Sequence, residues 1–340
     1  MLLSCGANAV PNSTRFSVRF LTPAETRTGT RRTKKMSDTN KIIVLAGATG
    51  HLGSLIAQSL LAKPDVKLRV LVRPASVNKV SALREQGVEI FEVDVLDEET
   101  EGQLDQAMNG ASTVISAVIG PDAMIQGQLR LLAAARRAGV HRFIPSYFSY
   151  DISGLDEGEN FNTDILRKFA RQAEDLRGDV ELVQIQIGAF TDRTILFGFL
   201  GAFDLKAGHA YLWGDGDAKM DFTTYRDAAR FAAEVAVDDE PVPSTIQFAG
   251  DSLTFHELVK AYEDGSRKSV AVKKMGTEAD LESEILHRRE TEPENFYAWL
   301  PPMYWRAMLS GKVKLHSIAN DRYPQINPMT VAEYVREEDL

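Results

Sequence analysis

The run Lys41-Ile-Ile-Val-Leu-Ala-Gly47-Ala-Thr-Gly50-His-Leu-Gly53 decides how the rest of the chain is read. Its apolar opening is the pattern of a parallel strand buried on both faces. Leu52, Leu55, Ile56 and Leu60 then share one face of a helix over residues 52–61. The glycines fall between strand and helix. The first permits a tight turn, the second lets backbone approach a pyrophosphate, and the third lets the helix pack on the strand. A helix N-terminus at such a turn presents free N–H groups to an anion. The stretch therefore reads as a dinucleotide cradle, with Gly47, Thr49, Gly50, His51, Leu52 and Gly53 as its candidate residues.

Composition narrows the class. The chain has 340 residues, 44% hydrophobic and 26% charged, as expected of a soluble globular protein. Its single cysteine, Cys5, leaves no intrachain disulfide and no cysteine-built metal site. No apolar run reaches the ~18 residues of a membrane span. A net charge of −9 argues against a nucleic-acid surface. That charge is uneven: residues 1–35 hold seven Lys and Arg against Glu25 alone, a net +6 that leaves −15 for the remainder. This basic, Ser/Thr-rich segment reads as an organelle transit peptide, a disordered tail or sequence upstream of a start at Met36. A cytoplasmic location is expected, or an organelle if residues 1–35 are a transit peptide.

Beyond the first unit, strands are expected over residues 67–72, 88–93, 112–119, 140–144 and 181–187. Helices are expected over 75–86, around 104–108, and over 124–138 and 161–176. Strands alternating with helices at this pace mean a doubly wound parallel sheet. After Gly188 the rhythm breaks. Tyr211–Trp213 and residues 219–223 are expected to form a hairpin around Gly214 and its neighbours, followed by a helix over 225–237. Thr254 with Glu257, Thr277 with Asp280 and Thr330 with Glu333 have the spacing of helix-opening capping boxes. The expected organisation is an extension over residues 1–38, a dinucleotide-binding domain over 39–188, and an interleaved, mixed α/β substrate lobe over 189–340.

The second strand sets the cofactor. An NAD site carries a carboxylate about 20 residues after the glycines to bond the ribose 2′-hydroxyl. Here Arg73 stands at that place, where a guanidinium grips a 2′-phosphate, so NADP(H) is expected. Asp94, ending the third strand, is read either as an acceptor for the adenine amine or as a turn cap. Ser116 and Ala117, ending the fourth, contribute backbone to the same crevice.

Several stretches together resemble the isoflavone-reductase-like and NmrA-like branch of atypical short-chain dehydrogenases. They are the glycine run, Leu71-Val-Arg73, Arg142-Phe-Ile-Pro145-Ser146, Gly214-Asp-Gly-Asp-Ala-Lys219, Thr224-Tyr-Arg-Asp-Ala-Ala229 and Ser252-Leu-Thr-Phe-His-Glu-Leu258. The similarity spans about residues 41–284. It implies a Rossmann domain binding NADP(H), and either a reductase of phenylpropanoid-type aromatics or a redox-sensing regulator that binds NADP without turnover.

The chain departs from that branch where its chemistry lies. The branch reads Pro-Ser-Glu-Phe-Gly after the fifth strand, whereas this chain reads Pro145-Ser-Tyr147-Phe-Ser149. The branch places a lysine in a Phe-x-x-Lys setting on the next helix; the matching run here, Phe161-Asn-Thr-Asp164, puts a carboxylate in its place. An ionised carboxylate there would repel a developing enolate. Lys168, one turn on, is the candidate replacement, and Tyr147, at the carboxyl end of the fifth strand, is the candidate acid. No tyrosine has a lysine four residues on, so the short-chain Tyr-x-x-x-Lys pair is missing. The six histidines have no metal-ligand spacing. Phe190, Phe197, Phe199, Phe203, Tyr304 and Trp305 are candidates for an apolar pocket. The expected function is an NADPH-dependent reductase of a small aromatic or conjugated carbonyl-type substrate. The alternative is a non-catalytic NADP(H) sensor. A homodimer or protein partner is left open.

Overall fold

Residues 41–46 enter the interior as strand β1 (Lys41–Ala46), with Ile43 and Leu45 on one face and Val44 and Ala46 on the other, all of them buried. The computed structural model describes residues 40–340; the extension read at residues 1–38 and Cys5 lie outside the described residues. In chain order α1 (His51–Leu61), β2 (Val66–Val72), α2 (Ser81–Glu85), β3 (Glu89–Glu92) and α3 (Glu101–Met108) follow. Next come β4 (Thr113–Ser116), α4 (Gln128–Arg137), β5 (Arg142–Ile144), α5 (Phe161–Leu176) and β6 (Glu181–Leu182). The six strands form one parallel sheet in the order β3-β2-β1-β4-β5-β6. The order reverses direction between β1 and β4, which opens a crevice at their carboxyl ends.

The rest of the chain supplies β7 (Gln184–Gln186), β8 (Ala189–Thr191), β9 (Phe203–Asp204), β10 (His209–Trp213) and β11 (Met220–Thr224). It continues with α6 (Tyr225–Val237), β12 (Thr245–Gln247), β13 (Asp251–Leu253), α7 (Phe255–Ser266) and β14 (Ala271–Gly276), and ends with α8 (Glu278–Thr291), α9 (Phe296–Leu309) and α10 (Val331–Glu337). α6 packs against α1 on one face of the large sheet, through Phe231, Val235, Ile56 and Leu60. The opposite face is covered by α3, α4 and α5 through Leu104, Leu131 and Phe169. A separate cluster rich in aromatic residues, including Phe197, Phe255, Tyr262, Trp299 and Trp305, fills the C-terminal part. The three Thr-led capping boxes open α7, α8 and α10 as expected.

Three expectations need correction. The strand read over 181–187 breaks at Val183, so that β6 pairs with β5 while β7 pairs with β12. The expected hairpin does not form: β10 joins β14 and β9, whereas β11 joins β8 and β13. The connecting residues cannot make a two-residue turn. They cross between sheets through an Asx turn, in which Asp217 N–H donates to Asp215 Oδ1, and the Gly216 carbonyl accepts from Phe255 N–H at the start of α7. The helix read over 124–138 opens as a π-helical turn, Ala123–Gly127, before continuing as α4; a second such turn spans Ile195–Phe199. Both wide turns push side chains into the cavity described below.

Candidate functional site

The glycine turn joins β1 to α1 with its glycines under different constraints. Gly47 adopts φ +90°, and a Cβ there would lie 2.4 Å from the Ala117 carbonyl oxygen, so the chain ends after β1 and β4 abut at the crevice. A Cβ on Gly53 would lie 2.1 Å from the Gly47 carbonyl oxygen, which closes the helix onto the turn. Gly50 is the N-cap of α1 and carries no side chain to cap it, nor is there an acidic residue in the first turn. The first N–H groups of α1 thus stay available to an anionic ligand, and the helix dipole favours one.

One cavity of about 830 Å³ begins at this turn. Gly47, Thr49, Gly50, His51 and Leu52 line it, as do Arg73, Asp94 and Ala117. Arg73 is exposed at the end of β2 and has no ion-pair partner among the described residues. Lys79, which sequence reading passed over, lines the same cavity and is also exposed; it stands on the 3₁₀ turn, Pro74–Val80, that follows Arg73. Asp94 lines the cavity and also holds its own turn, with Oδ1 accepting from Leu96 N–H at 3.0 Å. Two of the predicted cofactor residues do not reach the cavity. Ser116 is fully buried in the β1–β4 ladder, and Gly53 serves the packing of helix on turn.

From the turn the cavity runs past His51, whose ring meets Tyr225 edge-on at 4.6 Å; Tyr225 in turn stacks on Phe190 at 3.8 Å. Burial, reinforced by Asp192, pushes the Tyr225 phenol up to about 12. The far end is apolar, with Met124, Leu166, Ile195, Phe199 and Met308 on its wall. Asn162, Tyr150 and Tyr304 are among the polar residues that line the cavity. Of the aromatic candidates, Phe190, Phe199 and Tyr304 line the cavity, whereas Phe197, Phe203 and Trp305 belong to the C-terminal core. Tyr150 carried no signal in the sequence beyond standing three residues after Tyr147.

The lysine question resolves by the rotation of α5. Thr163, Ile165, Leu166, Phe169 and Ala173 form its buried face, while Asn162, Ile165 and Leu166 meet the cavity. Asp164 and Lys168, four residues apart, share the outer face. Lys168 is exposed and does not border the cavity, so it cannot act there. The Asp164 carboxylate is also turned away, accepting from Gly158 N–H at 3.0 Å and from Arg167 at 3.3 Å. The repulsion expected from a carboxylate at this position is therefore absent from the cavity. Tyr147 is buried on a wall between the main cavity and a second one of about 420 Å³. Burial and Asp151 push its phenol well above the ordinary value, with Arg167 opposing; Asp151 and Arg167 both line the second cavity only. Among the described residues no cluster could hold a metal ion, and no helix is long and apolar enough to cross a membrane.

Comparison with known proteins adds to this geometry. Residues 39–160 match the NmrA-like family. The chain is 27% identical over 238 residues to an NmrA-like family domain-containing oxidoreductase of Gibberella moniliformis, covering 65% of this chain and 76% of that one. It is 25% identical over 320 residues to pinoresinol reductase 2 of Arabidopsis thaliana, covering 86% and 96%. Among solved structures, isoflavone reductase superposes with a TM-score of 0.72 at 21% identity, covering 88% of this chain and 100% of that one. A leucoanthocyanidin reductase–NADPH complex from Vitis vinifera gives 0.70 at 20%, covering 87% and 98%. Residues 39–160 thus resemble the NmrA-like family, in a chain that shares the fold of the isoflavone reductase and leucoanthocyanidin reductase structures.

Proposed function

We propose that the protein is an NADPH-dependent reductase of a small aromatic or conjugated carbonyl-type substrate. One observation carries the reading: a single cavity joins an uncapped helix N-terminus and two exposed cations, Arg73 and Lys79, to an apolar, aromatic chamber. In this reading residues 39–188 hold the cofactor and residues 189–340 supply much of the substrate wall. Gly47 and Gly50 leave room for a pyrophosphate against backbone, and the first N–H groups of α1 bind it. Arg73 and Lys79 take the 2′-phosphate, which an acidic residue at the end of β2 would repel. When bound, NADPH supplies hydride from its nicotinamide C4. The chain contributes orientation and exclusion of water, which together can lower a barrier by ~7–11 kcal/mol in favourable cases. Relatives and neighbours named as pinoresinol, isoflavone and leucoanthocyanidin reductases support an aromatic substrate.

Among the described residues no lysine borders the apolar chamber, which favours the second reading, an NADP(H) sensor without turnover. NADPH binding followed by fluorescence, with its consumption against a panel of aryl ketones and quinones, separates the two. Binding with substrate-dependent oxidation supports the reductase; binding without oxidation of NADPH by any panel member supports the sensor. We further propose a cytoplasmic site of action, or an organelle where residues 1–35 direct it there, and leave a homodimer as the reading that gel filtration tests.

A further inference from the structure

The apolar end of the cavity holds a small polar cluster with unused protons. Tyr304, on α9, accepts a hydrogen bond at Oη from the Nδ2–H of Asn162, in the first turn of α5, at 2.5 Å. A phenol oxygen that accepts in this way keeps its own proton to donate. Tyr304 is only partly buried and lines the cavity, and among the described residues nothing accepts that proton. Tyr150 packs edge to face on Tyr304, with centroids 5.8 Å apart. It is 3% exposed, and among the described residues its buried hydroxyl has no hydrogen-bond partner. A buried donor without an acceptor destabilises a fold, so its presence on a cavity wall calls for a ligand that brings the acceptor.

The cluster is held in place by the start of α5. Asn160 is the N-cap, and its Oδ1 accepts from the backbone N–H groups of Asn162 and Thr163 at 3.0 and 3.4 Å. The cap therefore also fixes the backbone that carries the Asn162 amide. By donating to the phenol oxygen, that amide draws charge from it and strengthens the O–H as a donor. Burial pushes the Tyr304 phenol up while the Asn162 hydrogen bond pulls the other way. The net result is a group that stays protonated near neutrality, a donor and not a base.

We propose that Tyr304, aimed by Asn162, donates the hydrogen bond that holds the acceptor oxygen of an aromatic carbonyl substrate, with the Tyr150 hydroxyl as the second donor. The inference rests on the reductase reading and specifies the substrate's shape. The ligand has a flat apolar body with a carbonyl-type oxygen at one end. Met124, Leu166 and Phe199, the last packed edge to face on Tyr304, line the same cavity and would leave a second polar group buried and unpaired.

The test uses the full chain, with and without NADPH, titrated with trans-chalcone and trans-stilbene, two diaryl probes of which only chalcone carries a carbonyl. The wild type should bind chalcone about tenfold more tightly than stilbene. Tyr304→Phe should cut that ratio about threefold or more with stilbene affinity unchanged, the remainder being owed to Tyr150. Asn162→Asp should do the same, because a carboxylate captures the phenol proton that Asn162 leaves free. Tyr150→Phe guards against loss of fold: it should lower the ratio while leaving Tm unchanged or raised, since the hydroxyl has no partner to lose. A wild type that does not distinguish the probes, or an unchanged ratio in Tyr304→Phe, would overturn the proposal. A lowered Tm with an unchanged ratio in Tyr150→Phe would overturn the role of that residue. Chalcone preference in a chain that binds no NADPH would keep the donor site and sink the reductase reading.

Discussion

Gly53→Ala sets two physical effects against each other in the glycine turn. Alanine is favoured over glycine in a helix interior by about 1 kcal/mol. Against this, the added Cβ would lie 2.1 Å from the Gly47 carbonyl oxygen and 2.7 Å from its carbon, where ordinary contact begins at 3.4 Å. Turn and helix must therefore part by roughly 1 Å, an overpacking that costs about 1–3 kcal/mol. The turn cannot retreat toward the sheet, because Gly47 already abuts the Ala117 carbonyl. The clash outweighs the propensity, and a net loss of about 1–2 kcal/mol is expected, lowering Tm by roughly 2–5 °C. NADPH affinity should fall at least about tenfold, since the N–H groups that face the pyrophosphate move with the turn. Gly102→Ala is the matched control: Gly102 is exposed on α3, nothing lies within 4 Å of its added Cβ, and the substitution should stabilise by about 0.5–1 kcal/mol. Urea unfolding followed by circular dichroism, with NADPH titrated by fluorescence, reads both. If Gly53→Ala stabilises as Gly102→Ala does, with an unaltered NADPH Kd, the packing argument is wrong.

Other substitutions test other parts of the reading. Arg73→Glu should weaken NADPH far more than NADH in parallel titrations; equal losses would remove Arg73 from the 2′-phosphate site. Arg142 is 1% exposed, bonds Glu181 at 2.5 Å, and donates to the carbonyls of Val235, Asp238 and Glu240, closing the C-terminal end of α6. Arg142→Met should cost about 3–5 kcal/mol in urea unfolding, because it strands a half-buried carboxylate. Burial raises the Asp238 carboxyl, but Tyr323, the Glu240 N–H and Arg322 outweigh it and hold the group below its ordinary value. A depressed folded pKa means the stabilisation is complete above the unfolded value of about 3.9 and lost as pH falls through the folded one. Asp238→Asn should therefore be less stable at neutral pH and decline less than wild type between about pH 5 and 3; parallel declines would show that Asp238 does not set acid sensitivity.

What could be read along the chain was local. The order of strand, glycine turn and helix over residues 41–61, the full length of α5 and of α6, and the three capping boxes each depend on residues within one or two turns of one another. Apolar period and hydrogen-bond spacing suffice for those, so the doubly wound sheet and the position of its cradle followed. Arg73 was legible for the same reason, as a fixed distance from the glycines along a strand.

Tertiary structure decided what depends on rotation and on neighbours distant in sequence. Whether Lys168 reaches the crevice turns on how α5 rolls against the sheet, and its apolar face leaves Lys168 and Asp164 outside. Lys79 reaches the cavity that Arg73 lines from a 3₁₀ turn that periodicity does not reveal. β10 and β11 part into different sheets because β14, β8 and β13 compete for their edges, and a local turn signal carries no information about such partners. The pairing of Asn162 with Tyr304 spans 142 residues. Sequence alone thus determined the cradle and the expected cofactor, whose recognition is written in contiguous backbone. Only the packed structure chose the groups at the apolar end of the cavity, since side chains brought together by burial leave no spacing in the chain.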